Sequence, residues 1–395
     1  MATQAPATVT LQGIVVPGEA VNPKEFFART RRQNLLMKSL GATAGFGGTD
    51  IVEMLQTGIL SRVQVKVSGT LTVTVPSGGS VATTYLWPYN YLKQARLSAN
   101  GQSNLIALSG WQLKAFQLAD RNPKDDRGVQ NAIGGAFPGT TRNQGTLAMA
   151  SESWGVGQGV TAIPAGSYDV EMTVELPIAY DQATLLGAIF AQTTSTNLEL
   201  SLDWEQQANL FTLAGGATVA FTPSAIVEGT VYSIPANPQG GIFVPNLSAF
   251  HSLVASRAPN SISVGNNEIT LAGQGVGRQL MRLGFRTWSN GAPLSMSAAN
   301  YSQIYWRYGG NTTPEQWFDG HDLRAWDEAI YNVDMGAYQG YGFLDFSSIW
   351  AFRDSIDEGA ASQLRFGFSI PNGVSLTNPS TEYVSQTIVA GAVAA

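Results

Sequence analysis

A chain of 395 residues exceeds one compact core of ordinary size and divides most naturally into two units of somewhat under 200 residues. Charged residues are only 13%, there are 43 glycines and no cysteine, and the formal net charge is −6, which excludes a disulfide framework and a thiolate zinc site. The remaining surface is neutral and polar, cheap to desolvate against other protein and equally suited to an extracellular glycan-facing module. The start, MATQAPATVTLQGIVVP, lacks the basic n-region and long apolar core of a cleaved secretory signal. No run approaches the roughly 20 apolar residues that cross a bilayer.

Residues 1–21 carry no amphipathic pattern and read as an extended arm. From Asn22 the pattern changes. Asn22 as N-cap, Pro23 at the first helical position, Glu25 completing a capping-box-like pair and Gly41 as a stop predict a helix over 22–41. Five basic residues (Lys24, Arg29, Arg31, Arg32 and Lys38) against Glu25 give this stretch a local charge of +4, so the rest of the chain carries −10. The functional reading is contact with an anionic surface, lipid headgroups or nucleic acid; the plain one is a helix docked on its own domain by Phe26 and Leu36.

Val63, Val65, Val67, Leu71, Val73 and Val75 hold odd positions and predict a long strand ending at the turn Pro76–Gly79. Val81–Trp87 and Leu92–Leu97 read as further strands, GWQLKAFQLAD from Gly110 as a short helix, and Arg121–Gly145 as a long loop. From Tyr168 to Ile178 every even position is apolar, and Leu198, Leu200, Leu202 and Trp204 repeat the alternation. Between them Asp181 as N-cap, with Leu185, Leu186, Ile189 and Phe190 following, predicts about two helical turns.

After a connection at Ala208–Pro223, the second half repeats this style. Ile226–Ile234, Arg278–Trp288, Tyr341–Phe346, Leu364–Ile370 and Tyr383–Val389 alternate as strands. Thr313-Pro314-Glu315-Gln316 reads as a capping box that starts a helix running to about Tyr331.

The runs LPIAYDQATLLGAIFA and LELSLDWEQ, with VQVKVSGTLTVT, GWQLKAFQLAD after LKQARLSANGQ, and TPEQWFDGHDLRAWDEAIYN before GYGFLDFS, resemble the major capsid protein of tectivirus-type bacteriophages in order and spacing. The resemblance covers most of the chain from about residue 60. It implies an all-β fold with a few short helices: two tandem eight-stranded jelly-roll β-barrels, a double jelly roll. The division expected is residues 1–50 as an N-terminal arm and basic amphipathic helix, 51–215 as the first roll, and 216–395 as the second roll with a C-terminal arm. It also implies a homotrimer of pseudo-hexagonal outline, tiling with neighbouring trimers into an icosahedral virion shell around an internal membrane, assembled in the host cytoplasm. Penton and minor capsid proteins would be partners, and no sequence-specific nucleic acid is expected. In that family the N-terminal helix lies toward the membrane. Lys24, Arg29, Arg31, Arg32 and Lys38 would then be headgroup contacts, each worth about 1 kcal/mol against anionic lipid.

Residues able to carry chemistry are sparse. His251 and His321 are the only histidines, so a multi-histidine metal site is excluded and a Ser-His-Asp triad has two candidate bases. Glu171, Glu175, Glu199 and Asp203 lie on the wet faces of two strands; converging, they would suit a glycosidase, and diverging, they merely keep those faces soluble. Lys124–Arg127 lacks the alternating ligands of a calcium loop, and Gly273–Gly277 lacks the spacing of a phosphate loop. Asn246, Asn300 and Asn311 open triplets of the glycosylation type. No catalytic, cofactor-binding or metal residue is assigned, and the alternative to a capsid subunit is a glycan-active or glycan-binding tandem jelly-roll protein, such as an amidase, a glycosidase or a spike lectin.

Overall fold

The structure, a computed structural model, describes residues 8–11, 14–42, 45–99, 102–120, 152–180, 182–192, 197–238, 240–245, 250–271, 277–308, 312–331, 334–346, 355–358 and 364–390. The Arg121–Gly145 loop, Lys124–Arg127 and the Asn246 and Asn311 positions lie outside these residues, as does all of Gly273–Gly277 except Gly277.

The chain begins with a hairpin of β1 (Thr8–Leu11) and β2 (Ile14–Val21), followed by α1 (Pro23–Arg29). Then come β3 (Arg32–Ala42), β4 (Thr49–Glu53), β5 (Ile59–Thr74), β6 (Ser80–Thr83), β7 (Leu92–Ala99), β8 (Gln102–Leu108) and α2 (Gly110–Ala119). The first half closes with β9 (Gly166–Leu176), β10 (Ile189–Phe190), β11 (Leu198–Trp204), α3 (Gln207–Leu210), β12 (Phe211–Ala214) and β13 (Thr218–Tyr232). The second half runs β14 (Ile242–Pro245), β15 (Phe250–Ser261), β16 (Gly265–Thr270), β17 (Arg278–Ser289), β18 (Ala292–Pro293), β19 (Gln303–Tyr308) and β20 (Thr312–Trp317). It ends with α4 (Gly320–Tyr331), α5 (Gly336–Gln339), β21 (Tyr341–Asp345), β22 (Ile356–Asp357), β23 (Arg365–Ile370) and β24 (Ser380–Ala390).

The pairings give each half the same topology. In the first, β3-β13-β5-β9 form one sheet and β4-β11-β7-β8 the facing one. In the second, β15-β24-β17-β21 face β16-β23-β19-β20. Numbering the main strands of either half from one to eight, both give sheets ordered 1-8-3-6 and 2-7-4-5, the double Greek key of a jelly roll. Alternation explains the cores. Val63, Val65, Val67, Leu71 and Val73 of β5 are buried with Val170, Met172 and Val174 of β9 and with Leu198, Leu200 and Leu202 of β11 from the opposite sheet. Phe285, Ile304, Phe366, Phe368 and Ile370 build the second core.

Three predicted helices are corrected. The helix expected over 22–41 ends at Arg29, and Arg32–Ala42 is strand β3, paired with β13. The N-cap is as expected, Asn22 Oδ1 accepting from the Glu25 N–H at 2.9 Å. Extended Thr30 then turns the chain: its hydroxyl donates to the Ser233 carbonyl, and the Arg31 N–H donates to Ser233 Oγ at 2.9 Å. The open edge of β13 offers a full ladder to residues whose helix propensity is only a weak preference, and Met37 with Leu35 and Leu40 packs inward. The turns predicted after Asp181 are not helical. Leu185 is buried at φ +58, the Tyr180 N–H donates to the Leu186 carbonyl, and β10 returns to β5. The residues of the Thr313 capping box are strand β20, and the helix starts six residues later than expected, at Gly320, where Asp322 N–H donates to Asp319 Oδ1 at 2.8 Å and Phe318 N–H to Asp322 Oδ2 at 3.2 Å. Of Val81–Trp87, only the first residues are strand.

Candidate functional site

The two rolls meet along one seam. Strands β8 and β15 pair in parallel through Val254 with Ile106 and Ala255 with Ala107, so a 10-stranded sheet runs across both halves. Helix α2 lies behind this junction. Its capping box joins Ser109 and Gln112, and Gly110 is required because a Cβ there would stand 1.8 Å from the Tyr89 carbonyl oxygen. Every residue from Gly110 to Ala119 is buried, so each polar group on the helix needs a partner inside the protein.

Those partners bridge the halves. Gln112 Nε2 donates to Ser256 Oγ of β15 at 2.9 Å and lies 3.4 Å from Glu382 of β24. Phe116 meets Phe343 of β21 edge-on at 5.4 Å. Asp120, at the helix end, pairs with Arg282 of β17, whose guanidinium also donates to Gln386 Oε1 at 2.7 and 3.2 Å and lies 4.8 Å from the Phe116 ring centre. Arg286 pairs with Glu382 at 2.8 Å, between Trp288 (4.0 Å) and Tyr341 (4.6 Å). Inside the first roll, Lys114 pairs with Glu152 at 2.8 Å.

Burial pushes the Asp120 carboxyl up even against Arg282. Burial also works against the Arg282 charge, but Asp120, Tyr331 and Asp345 outweigh it and hold the guanidinium above its ordinary range. These two directions oppose each other within one ion pair; the guanidinium, favoured by several neighbours at once, is the charge that stays. On α4, Asp327 and Tyr331 are one turn apart and both reach β21: Asp327 Oδ2 accepts from the Phe343 N–H at 2.9 Å, and Tyr331 donates to Asp345 at 2.8 Å. Burial pushes the Asp327 carboxyl well above its usual range. A cavity of about 10 Å³ lies against Asp120, Tyr180, Arg282 and Asp345, room for roughly one water and too small for a substrate.

The five basic residues singled out in the sequence do not share one helix. Lys24 and Arg29 are on α1, Arg31 follows it, and Arg32 and Lys38 are on β3; all five are exposed. Arg29 pairs with Glu25 at 2.6 Å and stacks 4.2 Å from the Phe243 ring centre. The four carboxylates a glycosidase would need diverge. Glu171 and Glu175 are on β9 and Glu199 and Asp203 on β11, in facing sheets whose alternate residues fill the shared core, so these side chains leave by opposite outer faces. Glu175 pairs with Arg62 at 3.2 Å and Asp203 with Arg96 at 2.6 Å. His321 is exposed on α4, and His251 lies in β15. Among the described residues, no group of three His, Cys, Asp or Glu is placed to hold a metal ion.

Sequence reasoning missed the seam pairs Asp120–Arg282 and Arg286–Glu382 and, inside the first roll, Lys114–Glu152. The signal was present in Lys114, the one charge in the helix GWQLKAFQLA, and in Arg282 and Arg286 within a largely apolar strand. Charges embedded in such runs are buried with partners or not present at all.

No protein-family model matches this sequence, and no curated protein matches it. Solved structures do. The major capsid protein of STIV, the Sulfolobus turreted icosahedral virus, is 16% identical at a TM-score of 0.62, over 92% of this chain and 97% of that one. The chain has the double jelly-roll fold of viral major capsid proteins. The PBCV-1 capsid protein (10% identical, TM-score 0.55) covers 92% of this chain and 95% of its own. The major capsid protein P2 of bacteriophage PM2 (11% identical, TM-score 0.50) covers 91% and 97%.

Proposed function

We propose that this chain is a structural major capsid protein that assembles as pseudo-hexameric trimers into the icosahedral shell of a virion around an internal membrane. The carrying observation is the end-to-end likeness to the STIV capsid protein, which leaves little of either chain uncovered. The division expected at residues 215 and 216 stays a proposal, and the pairing of β13 with β5 from Thr218 to Tyr232 favours moving the end of the first roll to after β13. The shell brings neighbouring trimers, penton and minor capsid proteins as partners, with assembly in the host cytoplasm and no sequence-specific contact to nucleic acid.

Anionic lipid is the partner proposed for the end of the first roll that carries α1. Lys24, Arg31 and Arg32 are its exposed charges, Arg29 is engaged by Glu25 and Phe243, and Lys38 lies about 20 Å further along β3. Light scattering after gel filtration tests the assembly, the expected mass being three times 42.0 kDa. A monomer that hydrolyses glycans would overturn the reading.

A further inference from the structure

We propose that Asn372 is a modification site: the main-chain nitrogen of Gly373 displaces its side-chain amide as ammonia, and a carboxylate appears in a loop that has no charge of its own. The reaction belongs to the chain whatever its assembly.

The strand order decides which loops share an end. In each roll the main strands alternate in direction, so the loops leaving the first, third, fifth and seventh lie together. The parallel pairing of β8 with β15, a fifth strand with a first, points that end the same way in both rolls. Helix α1 precedes the first strand and lies at the opposite end. In the second roll the loops concerned are residues 262–264, 290–302, 318–340 and 371–379. The charges are confined to 318–340, which holds α4; the other three loops contain none.

Two Asn-Gly steps sit in these uncharged loops, Asn290-Gly291 and Asn372-Gly373; a third, Asn100-Gly101, lies outside the described residues. A glycine after asparagine leaves its nitrogen unshielded, and attack requires the Asn backbone to rotate until that nitrogen meets the side-chain carbonyl carbon. Asn290 and Gly291 have φ +51 and +73 and join Ser289 to Ala292 as a two-residue hairpin, and the Asn290 N–H also donates to the Thr377 carbonyl at 2.7 Å. Rotation there breaks the hairpin. At Asn372 one bond closes the turn, the Val374 N–H donating to the Pro371 carbonyl at 3.1 Å, and it uses no atom of Asn372 or Gly373. Asn372 is exposed, and a Cβ on Gly373 would meet nothing within 4 Å. A five-membered ring has room to form. The Gly373 nitrogen, its proton lost to hydroxide, bonds to Asn372 Cγ, and the side-chain nitrogen leaves as ammonia. Water then opens the succinimide at either carbonyl, giving aspartate or, where the chain now runs through the side chain, isoaspartate. One water is consumed, one ammonia is released and one negative charge appears, with no oxidant or catalyst required.

The full chain is incubated in mildly alkaline buffer, digested, and each Asn-Gly peptide followed by mass spectrometry. Asn372 should convert about tenfold faster than Asn290 or more, because the hairpin must open before it can react. In urea the two should convert alike, and at position 372 isoaspartate should exceed aspartate. Gly373→Ala places a methyl beside the attacking nitrogen in open space and outside the left-handed region, so it should suppress conversion at an unchanged melting temperature. Asn372 staying intact in the native chain, Asn290 converting there as fast as Asn372, or Gly373→Ala converting at the wild-type rate would each overturn the assignment.

Discussion

The interior pair Lys114–Glu152 sets a measurable demand on the first roll. Both side chains are sealed from solvent, at 0% and 1% exposure, and Lys114 Nζ lies 3.1 and 2.8 Å from the two carboxylate oxygens. Glu152 also accepts from the Tyr89 hydroxyl at 2.7 Å and from the Thr173 N–H at 2.6 Å. The ammonium also lies 3.4 Å from the Thr173 carbonyl and 4.9 Å from the Tyr89 ring. Glu152→Gln keeps the shape but strands a buried ammonium, and should cost about 3–5 kcal/mol. Lys114→Met leaves a carboxylate that still has two donors and should cost less. The double variant buries no charge, so it should be more stable than the sum of the single losses predicts, with a coupling of about 0.5–3 kcal/mol. Trp111 and Trp154, 4.7 and 5.7 Å from Tyr89, report the unfolding of this region by fluorescence in urea. Additive losses, or a Glu152→Gln cost below about 1 kcal/mol, would refute the account of this pair as a charge in need of its partner.

Asp327 gives a pH test. Burial raises its carboxyl, so the fold is favoured by the neutral acid: that stability is complete below about pH 4 and is lost as pH rises through the raised folded-state value. Asp327→Asn should therefore gain on the wild type as pH increases, and melting curves of the two that stay parallel from pH 5 to 9 would contradict this. Gly110→Ala forces a methyl to 1.8 Å from the Tyr89 carbonyl and should misplace α2, read as a loss of several degrees in melting temperature against little change for a substitution at exposed Gly41. Replacing Lys24, Arg31 and Arg32 by Glu should abolish flotation with anionic vesicles at unchanged melting temperature; equal loss of both would make these residues part of the fold.

Much of the architecture was legible because two-residue periodicity survives in strands with one dry face. The alternations at Val63–Val75, Tyr168–Ile178, Leu198–Trp204 and Leu364–Ile370 became strands with the expected inward residues, the first two ending at Thr74 and Leu176 and the last starting at Arg365. What failed was short-range signal judged without its tertiary partner. Leu35, Leu36 and Met37 fit a helix as well as a strand, and only the open edge of β13 decides between them. Thr313 and Gln316 satisfy a capping pattern, yet those residues join β19 as strand, and Asp319 with Asp322 performs the capping six residues later. Glu171, Glu199 and Asp203 keep the outward placement expected of them while Glu175 is buried against Arg62, and the divergence follows from which sheets the two strands join, a pairing set by contacts about a hundred residues apart.

A seam within one chain and a contact between copies differ in chemistry for a physical reason. The seam within the chain is rich in buried polar groups, Gln112, Asp120, Arg282, Arg286 and Glu382, which fix register but return little net free energy after desolvation. That suffices there, because two rolls on one chain lose no translational freedom when they meet. Copies that meet in solution lose it at a cost of several kcal/mol, and must recover it from burial of apolar surface. The large apolar side chains exposed on this chain include Leu36, Ile51, Phe318 and Trp326. Trp326→Ala should accordingly shift the monomer–trimer balance toward monomer by at least tenfold in dissociation constant, a loss of about 1.4 kcal/mol, while the melting of a single copy is unchanged. Sedimentation equilibrium measures the first and calorimetry at dilution the second, and a trimer indifferent to this substitution would place the contact elsewhere on the molecule.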